Sequence, residues 1–121
     1  MQFVIDEVLG AGRGWDEMPD FAGIDIATAR QILEEAGKFA GEVLAPLNSP
    51  GDLQGCSWQE GAVTTPYGYA EAYRAFVQGA WPTLACDRAD GGQGLPLLLN
   101  AALNEMLAAA NHGWTMYPGL L

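Results

Sequence analysis

Four groups of residues in this 121-residue chain are of types that could do chemistry. His112, the only histidine, is the kind of side chain used as a general base near neutral pH. It follows a long apolar run, and its plainer reading is a charge at a helix C-terminus, meeting the helix dipole, or a loop residue. Asp52 and Glu60 suggest a carboxylate pair, but no His, Lys or metal-type partner stands near them, so they read as solvated loop charges. Cys56 and Cys86 lie far apart and no Cys or His cluster has zinc spacing. Reduced thiols in a cytosolic protein are a simpler account than a disulfide. Finally, Gly91-Gly92-Gln93-Gly94 ahead of Pro96 invites a phosphate-loop reading. Neither the Walker spacing with its lysine nor the dinucleotide G-x-G-x-x-G is present, so a structural turn is the better reading. No catalytic or metal-ligating constellation stands out.

The elements that must position these residues are mostly helical. Phe3, Val4, Val8 and Leu9 recur at helical spacing and predict a short amphipathic helix ending at Gly10. Residues 10–23 read as loop, with Trp15 and Phe21 tethering it to a core. Asp25 is an N-cap for a helix whose stripe is Ile26, Ala29, Leu33, Ala36, Ala40 and Val43, with Glu34 and Lys38 paired on the wet face. Gly37 and Gly41 would admit another backbone, and Pro46 would end the helix near Leu44. Residues 48–66 read as a long connection with a small hairpin across residues 59–64. Thr65-Pro66 opens the next helix, burying Tyr69, Ala72, Tyr73, Phe76, Val77 and Ala80.

Trp81 to Asp87 reads as extended, with Trp81 and Leu84 packed and Cys86 a buried small residue. Pro96 starts a central helix to Asn111, apolar on nearly every side except a stripe near Asn100, Asn104, Glu105 and Asn111. That stripe is either its solvated part or a hydrogen-bonding edge toward another domain. A further helix starts after Gly113. The fold class is therefore mostly α: a small orthogonal or up-down helical domain with long loops and one short hairpin.

Composition narrows the partners. Half the residues are hydrophobic and the length suits one domain with a modest core. A net charge of −10 disfavours nucleic acid and an anionic membrane surface. No run reaches the ~20 apolar residues of a membrane span, and the start lacks the basic region and apolar core of a signal peptide.

A resemblance goes further. Asp87-x-x-x-Gly91-Gly92-Gln93-Gly94-Leu95-Pro96, Ala102-Leu103-Asn104-Glu105-Met106-Leu107 and Met116-Tyr117-Pro118-Gly119-Leu120 resemble the N-terminal helical domain of the acyl-CoA dehydrogenases. The likeness is greatest to the large subgroup that includes the methylmercaptopropionyl-CoA dehydrogenases. Upstream, Glu42-Val43-Leu44-Ala45-Pro46-Leu47-Asn48, Gly55-Cys56-x-Trp58, Val63-Thr64-Thr65-Pro66-x-Gly68 and Glu71-Ala72-Tyr73 agree in the same order.

The resemblance implies that residues 1–121 are the N-terminal domain of an FAD-dependent enzyme, truncated before its middle β domain and C-terminal helical bundle. The family has a further segment before the first helix, consistent with Met1 being an internal or truncated start. In the family, a glutamate of the C-terminal bundle removes the α proton, the flavin accepts the β hydrogen as hydride, and an electron-transfer flavoprotein reoxidises the flavin. The resemblance implies no catalytic residue within these 121 and no activity for this piece alone. It places Met116, Tyr117, Gly119 and Leu120 beside the acyl chain of an acyl-CoA substrate, and it implies a cytoplasmic homo-oligomer. The alternative, from a different class, is a stand-alone, non-catalytic helical module that binds another protein through its apolar face. In the first case the central helix would show bare apolar surface where the β domain sits.

Overall fold

The Asp25 side chain accepts a hydrogen bond from the Thr28 backbone N–H at 2.6 Å and starts the longest helical stretch of the chain. In the computed structural model, which describes residues 1–119, this stretch runs from residue 26 to residue 54 without a break. It comprises α2 (Ile26–Lys38), a π-helical segment (Phe39–Leu44) and α3 (Ala45–Gln54). The remaining elements are α1 (Ala11–Asp16), β1 (Ser57–Gln59), β2 (Ala62–Thr64), α4 (Tyr69–Gln78), α5 (Leu97–Ala110) and α6 (His112–Gly119). Of the expected stripe, Ala29, Leu33, Ala36 and Ala40 are buried, while Ile26 and Val43 are partly buried against the core; Leu44, outside that stripe, is fully buried as well. Lys38 bridges Glu35 at 2.7 Å and Glu34 at 3.5 Å on the wet face.

Pro46 does not end this helix. It falls in the first turn of α3, just after the register widens to a π turn, so its missing N–H comes at a junction. Close approach occurs elsewhere than expected. A Cβ on Gly41 would meet nothing within 4 Å, and one on Gly37 would only touch the Met106 Sδ at 3.8 Å. At Gly51, by contrast, a Cβ would collide with the Tyr69 ring, so α3 packs on the start of α4 there.

The N-terminal segment also departs from expectation. Val4–Val8 is π-helical, closed by Leu9 N–H on the Val4 carbonyl at 2.9 Å. Phe3, Val4, Val8 and Leu9, expected to form its apolar face, are all exposed; Phe3 is 70% exposed, and only Ile5 is buried. Residues 11–16 form α1 rather than loop, burying Ala11 and Trp15, while Phe21 packs at the core edge as expected. The hairpin forms with Trp58 opposite Val63 and Gln59 opposite Ala62, all exposed. Gly68 is left-handed at φ 84°, which breaks the chain after Pro66 and delays α4 to Tyr69. Its Val77 and Ala80, expected in the stripe, are exposed.

Residues 81–87 are not extended. Ala80 turns left-handed at φ 57°, and Trp81–Thr83 form a 3₁₀ turn. Trp81 and Leu84 pack inward as expected, but the turn carries Cys86 to the surface. Pro96 stands at the N-cap of α5, as its sequence position predicts. α5 buries Leu99, Ala102, Leu103 and Leu107, while Leu97 at its start is 73% exposed. Burial of each such leucine contributes roughly 1.5–3 kcal/mol. Phe39, Phe76 and Trp114 interlock edge-on or tilted at 5.5–6.3 Å and close the core between the long helix, α4 and α6.

Two predictions follow from this packing. Gly92→Ala would drive a methyl into the Cys86 carbonyl and cost about 2–3 kcal/mol, whereas Gly41→Ala meets open space and gains about 0.5–1 kcal/mol; urea unfolding of both variants checks the contrast. The Thr28 backbone N–H holds the Asp25 carboxyl below its ordinary 3.8. A depressed folded pKa stabilises above the unfolded value and is lost as pH falls through the folded one. The stability gap between the parent and Asp25→Ala is therefore expected near pH 7 and closes as pH drops below about 3.8.

Candidate functional site

The site is built around a buried amide. Asn111, 1% exposed, leaves the helical region at φ −157°, ψ 89° and so separates α5 from α6. Its Oδ1 accepts from the Trp114 backbone N–H at 3.0 Å, capping α6, and from the Tyr69 hydroxyl at 3.3 Å. Its Nδ2 donates to the Leu44 carbonyl at 3.4 Å. Trp114 in turn donates its indole N–H to the Tyr69 carbonyl at 3.1 Å, and the Thr115 hydroxyl donates to the Asn111 carbonyl at 2.8 Å. The long helix, α4, α5 and α6 thus meet at one side chain. Asn111 is neither the solvated edge nor the interdomain contact that its place near the Asn stripe suggested.

Fixed in this way, α4, α5 and α6 enclose an open cleft of about 560 Å³. Tyr73, Phe76, Trp81 and Pro82 form one wall; Asn100, Leu103, Asn104 and Ala108 on α5 form another. His112, Thr115, Met116, Pro118 and Gly119 complete it from α6, and no Asp, Glu, Lys or Arg lines it. Of the residues singled out from the sequence, Met116 and Gly119 line this cleft. Tyr117 turns away, 65% exposed, with its ring edge-on to Tyr73 at 5.2 Å. Leu120 lies outside the described residues. His112 was read as a helix C-terminal or loop residue, yet it opens α6 and faces the cleft. Asn100 and Asn104 were legible as a polar stripe; Tyr73 was read as part of a helix's buried stripe and Trp81 as packed, neither as the wall of a cleft.

The glycine-rich loop is not an anion cradle. Every backbone N–H from Gly91 to Leu95 is already spent: on the Arg88, Asp87, Thr83, Cys86 and Leu84 carbonyls, in that order, at 2.8–3.1 Å. Asp87 caps Ala89 at 2.8 Å, and the Gln93 side chain donates to the Ala80 carbonyl at 2.9 Å. The loop is therefore a brace that seats Trp81 and the start of α5, and it offers no donors to the pyrophosphate of a flavin cofactor. Among the described residues, no His, Cys, Asp and Glu cluster could hold a metal ion, and no helix is long and apolar enough to cross a membrane. Asp52 and Glu60 are both exposed.

The chain is 36% identical over 103 residues to the 3-methylmercaptopropionyl-CoA dehydrogenase of Ruegeria pomeroyi, covering 85% of this chain and 18% of that protein. It is a homologue of the acyl-CoA dehydrogenases. It is also 27% identical over 117 residues to the broad-specificity linear acyl-CoA dehydrogenase FadE5 of Mycobacterium tuberculosis, covering 95% of this chain and 18% of that protein. The chain thus spans 18% of the length of each of these curated relatives. No family model matches it. These relationships bear out the family and subgroup read from the glycine-rich loop and its flanking segments.

Because α6 of this dehydrogenase homologue hangs on Asn111, Asn111→Ala removes a helix cap and orphans the Tyr69 hydroxyl together. The expected loss is about 2–4 kcal/mol, against about 1 kcal/mol for Tyr69→Phe. Guanidinium unfolding followed by tryptophan fluorescence measures both.

Proposed function

We propose that this chain is the N-terminal helical domain of an FAD-dependent acyl-CoA dehydrogenase, an oxidoreductase that introduces an α,β double bond into an acyl-CoA thioester. Its part in that enzyme is to supply a wall of the acyl pocket through Met116, Tyr117, Gly119 and Leu120. The observation that carries this reading is that Met116 and Gly119 border one uncharged, aromatic-walled cleft in a chain homologous to such enzymes. A neutral lining suits an acyl chain and excludes the phosphates of coenzyme A. Met116, with its flexible thioether, adapts to chain shape, and Gly119 leaves room for close approach. Tyr117 contributes by bracing α6 against Tyr73.

In this reading the flavin and the catalytic base belong to other parts of the parent enzyme, and the glycine-rich loop, whose amides are used within the fold, is not the flavin's seat. What this chain does there is to bind and orient the acyl chain and keep water from it. A cytoplasmic homo-oligomer that passes electrons to an electron-transfer flavoprotein completes the proposal for the parent.

Expression of the whole reading frame that contains these residues tests it. A yellow product whose flavin absorbance bleaches on anaerobic addition of an acyl-CoA is the expected result. In that enzyme, Met116→Ala would lower kcat/KM for the preferred acyl chain about tenfold, the range a reshaped apolar pocket carries. A frame that closes after Leu121, or a flavin-free product inert to acyl-CoA, would overturn the reading in favour of a non-catalytic module.

A further inference from the structure

The cleft has two chemically different walls. Tyr73, Phe76 and Trp81 offer aromatic surface. Facing into the same space, Asn100, Asn104 and Ala108 follow one another at four-residue steps along α5, about 6 Å apart along the axis, and His112 continues the row from α6. Little of this polar row is used by the fold. Asn104 Nδ2 donates to the Asn100 carbonyl at 2.9 Å. Among the described residues, the Asn100 amide, the Asn104 Oδ1 and the His112 imidazole have no other protein partner. These are groups that can each donate or accept, held at regular spacing within reach of an occupant.

An all-alkyl chain lying in this space would cover part of the Asn100, Asn104 and His112 side chains, the last two exposed in the free chain, and return no hydrogen bond, which is costly for each group it covers. An occupant with its own polar atom along the chain avoids that cost. A neutral atom suits the lining best: no Lys or Arg lines the cleft to receive a carboxylate, and no Asp or Glu lines it to receive an amine. We infer that the cleft takes an acyl group bearing a neutral hydrogen-bonding substituent, a hydroxyl or keto group, several bonds from the thioester. Asn100 and Asn104 read that substituent while the aromatic wall holds the carbon chain. This deepens, and rests on, the reading of Met116 and Gly119 as acyl-pocket wall.

The test uses the 121-residue chain, labelled with ¹⁵N and with ¹³C at the methionine methyls, and two soluble thioesters without a nucleotide. These are the N-acetylcysteamine thioesters of hexanoic and of 6-hydroxyhexanoic acid, followed by NMR titration. The hydroxy thioester is expected to bind about tenfold tighter, the ratio one net hydrogen bond carries, and to shift the side-chain amides of Asn100 and Asn104. Asn104→Leu and Asn100→Leu, both outside the buried core, should each erase that preference without changing the thermal melt. Equal binding of the two thioesters, with the leucine variants indifferent, would overturn the inference while a shifting Met116 methyl kept the acyl-wall reading alive. If neither thioester moves the Met116 methyl, the acyl-wall reading falls and this inference falls with it.

Discussion

One buried amide sets the geometry of this domain. Asn111 has no water to bond to, so every polar atom of its side chain must find protein, and the partners it finds belong to three different elements. A side chain that is both acceptor and donor can cap α6 and hold the end of the π segment at once. A carboxylate would set a negative oxygen against the Leu44 carbonyl, and an aliphatic residue would leave the Trp114 N–H uncapped. The helix break at Asn111 and the angle between α5 and α6 both follow from satisfying this one residue.

The aromatic cluster depends on that angle. Trp114, placed by the cap, inserts between Phe39 and Phe76, and its indole N–H returns to α4 through the Tyr69 carbonyl. Apolar packing and hydrogen bonding thus point at the same arrangement, the local consistency expected of a sequence with one native state. The glycine-rich loop acts at the other end of α5 in a similar way. It turns tightly enough to spend all of its amides on itself and its neighbours, and so presents Trp81 to the cleft.

Charge is divided between shell and cleft. The chain carries −10 overall, and three of its five cations are paired with acids of the same chain: Arg30 with Asp6, Lys38 with Glu34 and Glu35, and Arg74 with Glu71. No Asp, Glu, Lys or Arg lines the cleft. An acidic exterior repels phosphates and polyanions, while a neutral interior accepts carbon chains and uncharged polar groups. That division suits the acyl end of a thioester and leaves its nucleotide to other protein.

Sequence alone determined what local chemistry controls. The Asp25 cap, the amphipathic stripe of α2 and Pro96 at the head of α5 each follow from a few neighbouring residues, and the small hairpin read across residues 59–64 forms there, beginning two residues earlier at Ser57. The ordered family segments were legible too, since they are patterns along the chain. Register and long-range partnership were not. Pro46 passes through a continuous helix because a π turn absorbs its missing N–H, and Val4–Val8 adopts a wide turn that reverses the expected inward face. Asn111 looked like one more polar residue near a stripe, because its partners lie 42 and 67 residues away. Only the folded chain brings those partners within hydrogen-bond reach, and with them it decides that His112, Asn100 and Trp81 share a cleft.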